Sequence, residues 1–204
     1  MIDITKMQRR LLAGGYAIGN ADGVAGARTM AALFACVSLR PMAAMQALGA
    51  AAANHLARYG IMDTPERLAN FLGQAAHETG QFRYLAEIWG PTPAQRKYEG
   101  RADLGNTQPG DGYRFKGRGV FQLTGRANYA TVGARIGQPL EAHPELAERP
   151  EVAIQTACDF WQTHGLSLLA DQGLEGTITR RINGGTNGIE ERRRYVARAK
   201  GLMA

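Results

Sequence analysis

Residues 90–119, GPTPAQRKYEGRADLGNTQPGDGYRFKGRG, contain seven glycines and three prolines. No regular helix or long strand survives that density, because proline removes a donor and glycine offers no side chain to pack. The chain must therefore wrap helices around a long irregular loop, with at most a short hairpin inside it. Both flanks read as helical. Ile4, Met7, Leu11 and Leu12 share one stripe of residues 4–13, closed by Gly14-Gly15, and Met30, Leu33, Phe34 and Val37 share one over 27–37. An Ala-rich helix is expected over 41–58. Asp63-Thr64-Pro65-Glu66 opens another, running through Leu68, Phe71, Leu72 and Ala75 to Glu78. Further helices are expected at 125–136, 150–164, 174–182 and 189–203. The fold class is mainly α.

A length of 204 residues allows one domain with a small appendage. Arg40-Pro41 is a plausible joint, which divides the chain into residues 1–40 and 41–204. Several classes of chemistry drop out. Two cysteines, Cys36 and Cys158, make neither a disulfide framework nor a zinc cluster. His77-Glu78 begins like a zinc-protease motif, but Gln81 stands where the second His is needed. Gly117-Arg118-Gly119 leads to Gln122 rather than to a third glycine, so no dinucleotide fingerprint is complete. No metal and no cofactor are expected. The first residues lack a signal-peptide pattern, and no run of 18 apolar residues occurs, so synthesis in the cytoplasm without membrane insertion is expected. The net charge is +6, half of it within residues 1–40. With only 7% aromatic residues, a stacking surface for nucleic acid is not expected, whereas an anionic envelope would be attracted.

Carboxylates are what remain. Glu78 follows Ala75 by three and Phe71 by seven, so it leans towards the apolar face of its helix. Desolvation there should raise its proton affinity, the condition for a general acid at neutral pH. A carboxylate bonded to Arg or backbone near a helix end is the alternative. Glu87 and Glu99 are candidates for a second carboxylate, because glycosidic cleavage needs an acid for the leaving oxygen and a base for water. In Lys116–Tyr129, Phe121 and Leu123 alternate with Gln122 and Thr124, as on a strand edge with one polar face. Thr124 is also a good N-cap for the following helix.

Ala76-His77-Glu78-Thr79-Gly80, Gly117-Arg-Gly119-Val-Phe-Gln-Leu-Thr124 with Asn128, and Ile182-Asn183-Gly184-Gly185 resemble the three signature blocks of glycoside hydrolase family 19. That family includes plant chitinases and phage or prophage endolysins. DLGNTQPGDGYRFKGRG and RINGGTNG are similar to the endolysin branch, and two cysteines do not reproduce the disulfides of plant members. The resemblance spans about 60–195 and implies a lysozyme-like α+β catalytic domain, residues 41–204, with a substrate cleft. It implies Glu78 as general acid, Glu87 as base with Glu99 as substitute, and Thr124 as holder of the attacking water. His77, Gln122, Asn128, Tyr129, Asn183 and Arg192 take substrate-binding positions, Arg192 also within the acid–base network. The implied activity is muramidase-type hydrolysis of bacterial peptidoglycan with inversion, by a monomer released to the wall through a holin. A chitinase and a non-catalytic wall-binding module are the rivals.

Residues 1–40 carry a second resemblance. Gln8, Asp22-Gly23, Gly26 and Thr29 follow the layout of a short peptidoglycan-binding domain, which implies Gln8, Asp22, Gly23 and Thr29 as wall-binding residues. A helical hairpin that merely packs on the enzyme is the alternative.

Overall fold

The computed structural model describes all 204 residues. Its helices, in order, are α1 (Ile4–Ala13), α2 (Ala27–Ser38), α3 (Gln46–His55), α4 (Pro65–Glu78), α5 (Pro93–Arg96), α6 (Asp111–Arg114), α7 (Arg126–Ile136), α8 (Pro150–Thr163), α9 (Leu166–Asp171), α10 (Glu175–Asn183) and α11 (Ile189–Met203). Strand structure is confined to two antiparallel bridges, Ala86 with Arg118 and Arg118 with Leu123. The mainly α expectation therefore holds, and the long loop carries short helical turns rather than a hairpin of its own. Three details differ. The expected 41–58 helix opens as a 3-10 turn, Met42–Met45, and is α-helical only over Gln46–His55. Helix α9 was not expected, since six residues between Gly165 and Gln172 are too few to display a period. The cap of α7 falls on Gly125, and Thr124 instead donates to the Gln122 carbonyl at 2.9 Å.

One apolar core of 38 buried residues runs from Ile2 to Met203. Helices α1 and α2 belong to it and have no core of their own. Arg10 Nη1 donates to the Gly201 carbonyl and Arg198 Nη1 to that of Val37, which ties these helices to α11. Aromatic edges join α4 to α8 and to the segment before α7: Phe71 meets Trp161 at 5.4 Å and Phe121 at 5.8 Å, each contact contributing about 0.5–1.5 kcal/mol beyond burial. No single helix is long and apolar enough to cross a membrane.

The site depends on α4 lying against α11. Helix α4 starts well: Thr64 Oγ1 accepts from the Arg67 amide, Pro65 occupies the first turn, and Arg67 forks onto Asp171 of α9. Gly73, at its middle, faces α11 directly. A Cβ there would stand 2.4 Å from Val196 Cγ2 and 3.1 Å from the Arg192 carbonyl, so only glycine permits this approach. The close contact carries Arg192 onto Glu78.

A smaller core, Phe115, Tyr129, Ile136, Leu140, Ala147 and Val152, lies beneath the long loop. Polar staples complete it. Asp111, buried, is clamped by Arg126 through both carboxylate oxygens, and Asn106 Oδ1 accepts the Arg126 amide while its Nδ2 donates to the Tyr98 carbonyl. Burying that many polar groups is tolerable only because each has a partner.

Candidate active site

Glu78 is the last residue of α4, and its Oε1 accepts from Arg192 Nη2 at 2.5 Å. The Arg192 side chain is only 1% exposed and that of Glu78 17%. The same guanidinium donates through Nη1 to Gln74 Oε1 and through Nε to the Asn187 carbonyl. Gln74 in turn donates to Thr179 Oγ1 of α10. Arg192 is thus enclosed among Glu78, Gln74 and Asn187, with almost none of its surface open to solvent. Of the two places expected for it, this enclosure suits the one beside Glu78 in the acid–base network, because a buried cation must be fully paired.

His77 lies beside Glu78. Its Nδ1 meets Glu191 Oε2 at 2.6 Å, and Glu191 Oε1 accepts from Tyr195, whose hydroxyl accepts from Gln81 Nε2. Burial works to raise the proton affinity of Glu191, but the Tyr195 and His77 hydrogen bonds outweigh it and hold the group low. Since a carboxylate only accepts, Nδ1 carries the ring proton. The ring packs on Gly188, whose φ is 70° and whose Cβ, if present, would stand 2.0 Å from His77 Cε1. Gly188→Ala should therefore displace His77, with an expected loss of about 10²-fold in kcat/KM. Steady-state kinetics on the folded variant checks this; activity within threefold of wild type would remove His77 from the site.

Glu87 lies in the segment that follows α4. Its Oε1 accepts from Gln95 Nε2 at 3.0 Å and from the Tyr98 hydroxyl at 3.5 Å, while Oε2 accepts from the Gly117 amide at 3.1 Å. Its own amide donates back to the Gly117 carbonyl. Gly117 is also the link to Thr124. A Cβ on Gly117 would lie 2.4 Å from Gln122 Oε1 and 3.3 Å from Thr124 Oγ1, so Glu87, Gln122 and Thr124 gather around one glycine. Gln122 is held in the left-handed region, φ 53°, a strained backbone for a residue with a side chain. Glu99 is placed differently. Its two oxygens accept the Gly110 and Gly112 amides at 2.6 and 2.8 Å, which fastens the loop on itself.

A cavity of about 310 Å³ opens beside this segment, lined by Gln122, Thr124 and Asn128 on one side and by Phe160 and His164 on another. It includes neither Glu78 nor Glu87, and so is an extension of the polar segment rather than the place of the carboxylates. Asn128 anchors its amide on the Thr124 carbonyl. Asn183 is exposed at the end of α10. Tyr129 requires correction. It is fully buried, donates to the Lys116 carbonyl and accepts from Arg118, and burial pushes its phenol up to about 12. It props the glycine-rich turn from below and cannot touch a sugar. Gln8 and Thr29 are likewise buried: Gln8 bonds Asp22, Thr29, the Val24 carbonyl and the Gly23 amide. These bonds shape the loop between α1 and α2, so the structure places Gln8 and Thr29 as supports beneath the loop rather than on its surface. No group of three His, Cys, Asp or Glu side chains is arranged to hold a metal ion.

A family model described as class I chitinase, of the glycoside hydrolase 19 type, matches residues 35–167. The chain belongs to glycoside hydrolase family 19. A family 19 domain-containing protein of Haemophilus influenzae is 32% identical over 151 residues, covering 61% of this chain and 74% of the relative. Endochitinase At2g43620 of Arabidopsis thaliana is 39% identical over 141 residues, 69% of this chain and 46% of that protein, so the chain spans about half the length of such plant relatives. In fold, it resembles the crystal structure of a bacterial family 19 chitinase with TM-score 0.66 at 22% identity, covering 85% of this chain and 93% of that one. This family 19 glycosidase carries site features that the residue pattern alone did not single out: Gln74, Gln95, Asn106, Asp111 and Glu191. Gln95 left one signal, the Thr92-Pro-Ala-Gln95 capping box that the structure forms. Trp89, Tyr98 and Tyr113 also assemble into an aromatic rim beside Glu87, Trp89 meeting Tyr113 edge-on at 5.3 Å.

Proposed function

We propose that this chain hydrolyses the glycan backbone of bacterial peptidoglycan, as an endolysin does, by single displacement with inversion. The observation that carries the mechanism is the meeting of Glu87, Thr124 and Gln122 around Gly117, with a second carboxylate, Glu78, paired with buried Arg192. Thr124 donates its hydroxyl hydrogen to the Gln122 carbonyl, so its lone pairs are free to accept. A water that gives one hydrogen to Thr124 Oγ1 and the other to Glu87 keeps a lone pair for the anomeric carbon. As that carbon–oxygen bond forms, Glu87 takes the proton, the glycosidic bond breaks, and Glu78 protonates the departing oxygen. The two carboxyl groups flank the bond, and inversion calls for a separation of about 6.5–9.5 Å.

Peptidoglycan is favoured as substrate by the basic charge of residues 1–40, suited to an anionic wall, and by their helix–loop–helix layout. The protein would be made in the cytoplasm, act as a monomer and meet the wall after release by a holin-type pore. Chitin is the second reading, supported by the chitinases among its relatives. Reducing ends released from purified sacculi and from chitin oligomers decide between them, with mass spectrometry of the muropeptides naming the bond. Faster release from sacculi, by about tenfold or more, is the expected result, equivalent to about 1.4 kcal/mol of preference. Cleavage of chitin oligomers with sacculi untouched would overturn the wall-lytic reading, and absence of new ends from either substrate would leave only a binding module.

A further inference from the structure

Gln95 is 5% exposed, and every hydrogen-bonding position of its amide is filled. Nε2 donates to Glu87 Oε1 at 3.0 Å and to the Ile88 carbonyl at 2.8 Å. Oε1 accepts from the Gly90 amide at 3.1 Å and from the Thr92 amide at 2.7 Å. The partners fix the orientation. Two oxygens on one side can only accept, two N–H groups on the other can only donate, and the flipped amide would set like poles together at all four contacts. The two halves of the side chain therefore have separate tasks. The oxygen closes the Gly90–Thr92 turn and completes the capping box with Thr92. The nitrogen holds Glu87 and the carbonyl of the next residue, Ile88.

We propose that Gln95 is a positioning residue for the reaction, fixing the Glu87 carboxylate in the orientation that accepts a proton from water. This rests on Glu87 as the base. Without the Gln95 donor, Oε1 would keep only the long contact from Tyr98 at 3.5 Å, and the group would pivot about the Gly117 amide. Tyr98 does not compete for the charge. Burial first, and then the nearby Glu87, raise the proton affinity of its phenol, so it remains a neutral donor. Donors at both oxygens leave the carboxylate little freedom to rotate, which suits a group that must meet a water in one geometry.

Gln95→Glu separates the two tasks. It retains an oxygen for the Gly90 and Thr92 amides but replaces the donor shared by Glu87 and the Ile88 carbonyl with a second negative charge facing Glu87. We expect kcat to fall by about 30–100-fold with KM changed by less than about twofold, since substrate contacts are untouched while a reacting group is misplaced. In a Glu87→Gln background the same change should cost less than about twofold more, because the amide–carboxylate pair re-forms with roles exchanged and no base remains to position. Gln95→Met, similar in size and uncharged, guards against a folding failure of the first variant and should lower kcat by about tenfold or more. If Gln95→Glu stays within threefold of wild-type kcat while Glu87→Gln is inactive, Gln95 is only a turn staple and the proposal falls. Equal losses in both backgrounds would likewise overturn it. Wild-type kcat in Glu87→Gln would instead remove Glu87 as base, and with it the mechanism proposed above.

Discussion

Replacing Glu78 by Gln leaves a folded protein with about 10³-fold less hydrolytic activity, within the range of about 10²–10⁴ expected for a lost general acid. Glutamine fills the same volume at the end of α4 and still offers an oxygen to Arg192 Nη2, so the α4–α11 contact survives. What it lacks is a proton for the leaving glycosidic oxygen. The loss should fall on kcat, with KM little changed, because the interaction is made in the transition state. Circular dichroism and thermal melting report the fold, and reducing-end release reports the rate. Substrates with a good leaving group should recover much of the lost rate, since they need little protonation. A folded Glu78→Gln variant with more than a tenth of wild-type activity on its own substrate would remove Glu78 from the role of acid.

Arg192→Met attacks the same pair from the other side, and its main effect is on stability. The guanidinium is 1% exposed and bonds Glu78, Gln74 and the Asn187 carbonyl. Its removal strands the amide oxygen of buried Gln74 and leaves Glu78 facing an apolar chain, a defect of about 3–5 kcal/mol for a broken buried pair. At this chain length that corresponds to a fall of about 6–20 °C in Tm. Activity of the folded fraction should drop by about tenfold or more, because Glu78 loses the contact that orients it. Arg192→Lys should recover part of the stability and little of the activity. A single ammonium can answer the charge of Glu78, but it cannot also bond Gln74 and Asn187 with the planar fork of a guanidinium. A melting point for Arg192→Met within 2 °C of wild type would show that the pair contributes nothing net to folding.

The helices were legible because each carries a periodic apolar face between glycine or proline breaks. Helices α1, α7, α8, α10 and α11 start or end within about two residues of the expected positions, since end signals act locally. Glu78 was legible as a carboxylate leaning towards the core. Its partner became apparent only through resemblance, since 114 positions separate Glu78 from Arg192 and nothing local marks the pairing. Tyr129 shows the opposite failure. Its position in a polar, glycine-rich block suggested a sugar contact, but helix α7 turns that residue inward against Phe115, Arg118 and the Lys116 carbonyl. Gln8 and Thr29 turned inward for the same reason: their side chains satisfy a loop whose backbone groups would otherwise be unpaired.

By itself, then, the chain of residues determined where helices form, that a glycine- and proline-rich loop must interrupt them, and which carboxylates were available for chemistry. Those are consequences of short-range sterics, caps and periodicity. Tertiary structure decided where each carboxylate stands. Glu87 and Glu99 both accept backbone amides, but Glu99 closes its own loop through Gly110 and Gly112, whereas Glu87 meets Gly117, the residue against which Gln122 and Thr124 pack. That distinction rests on long-range approach between segments, set by core packing and by glycines that let backbones come close, and no local pattern encodes it.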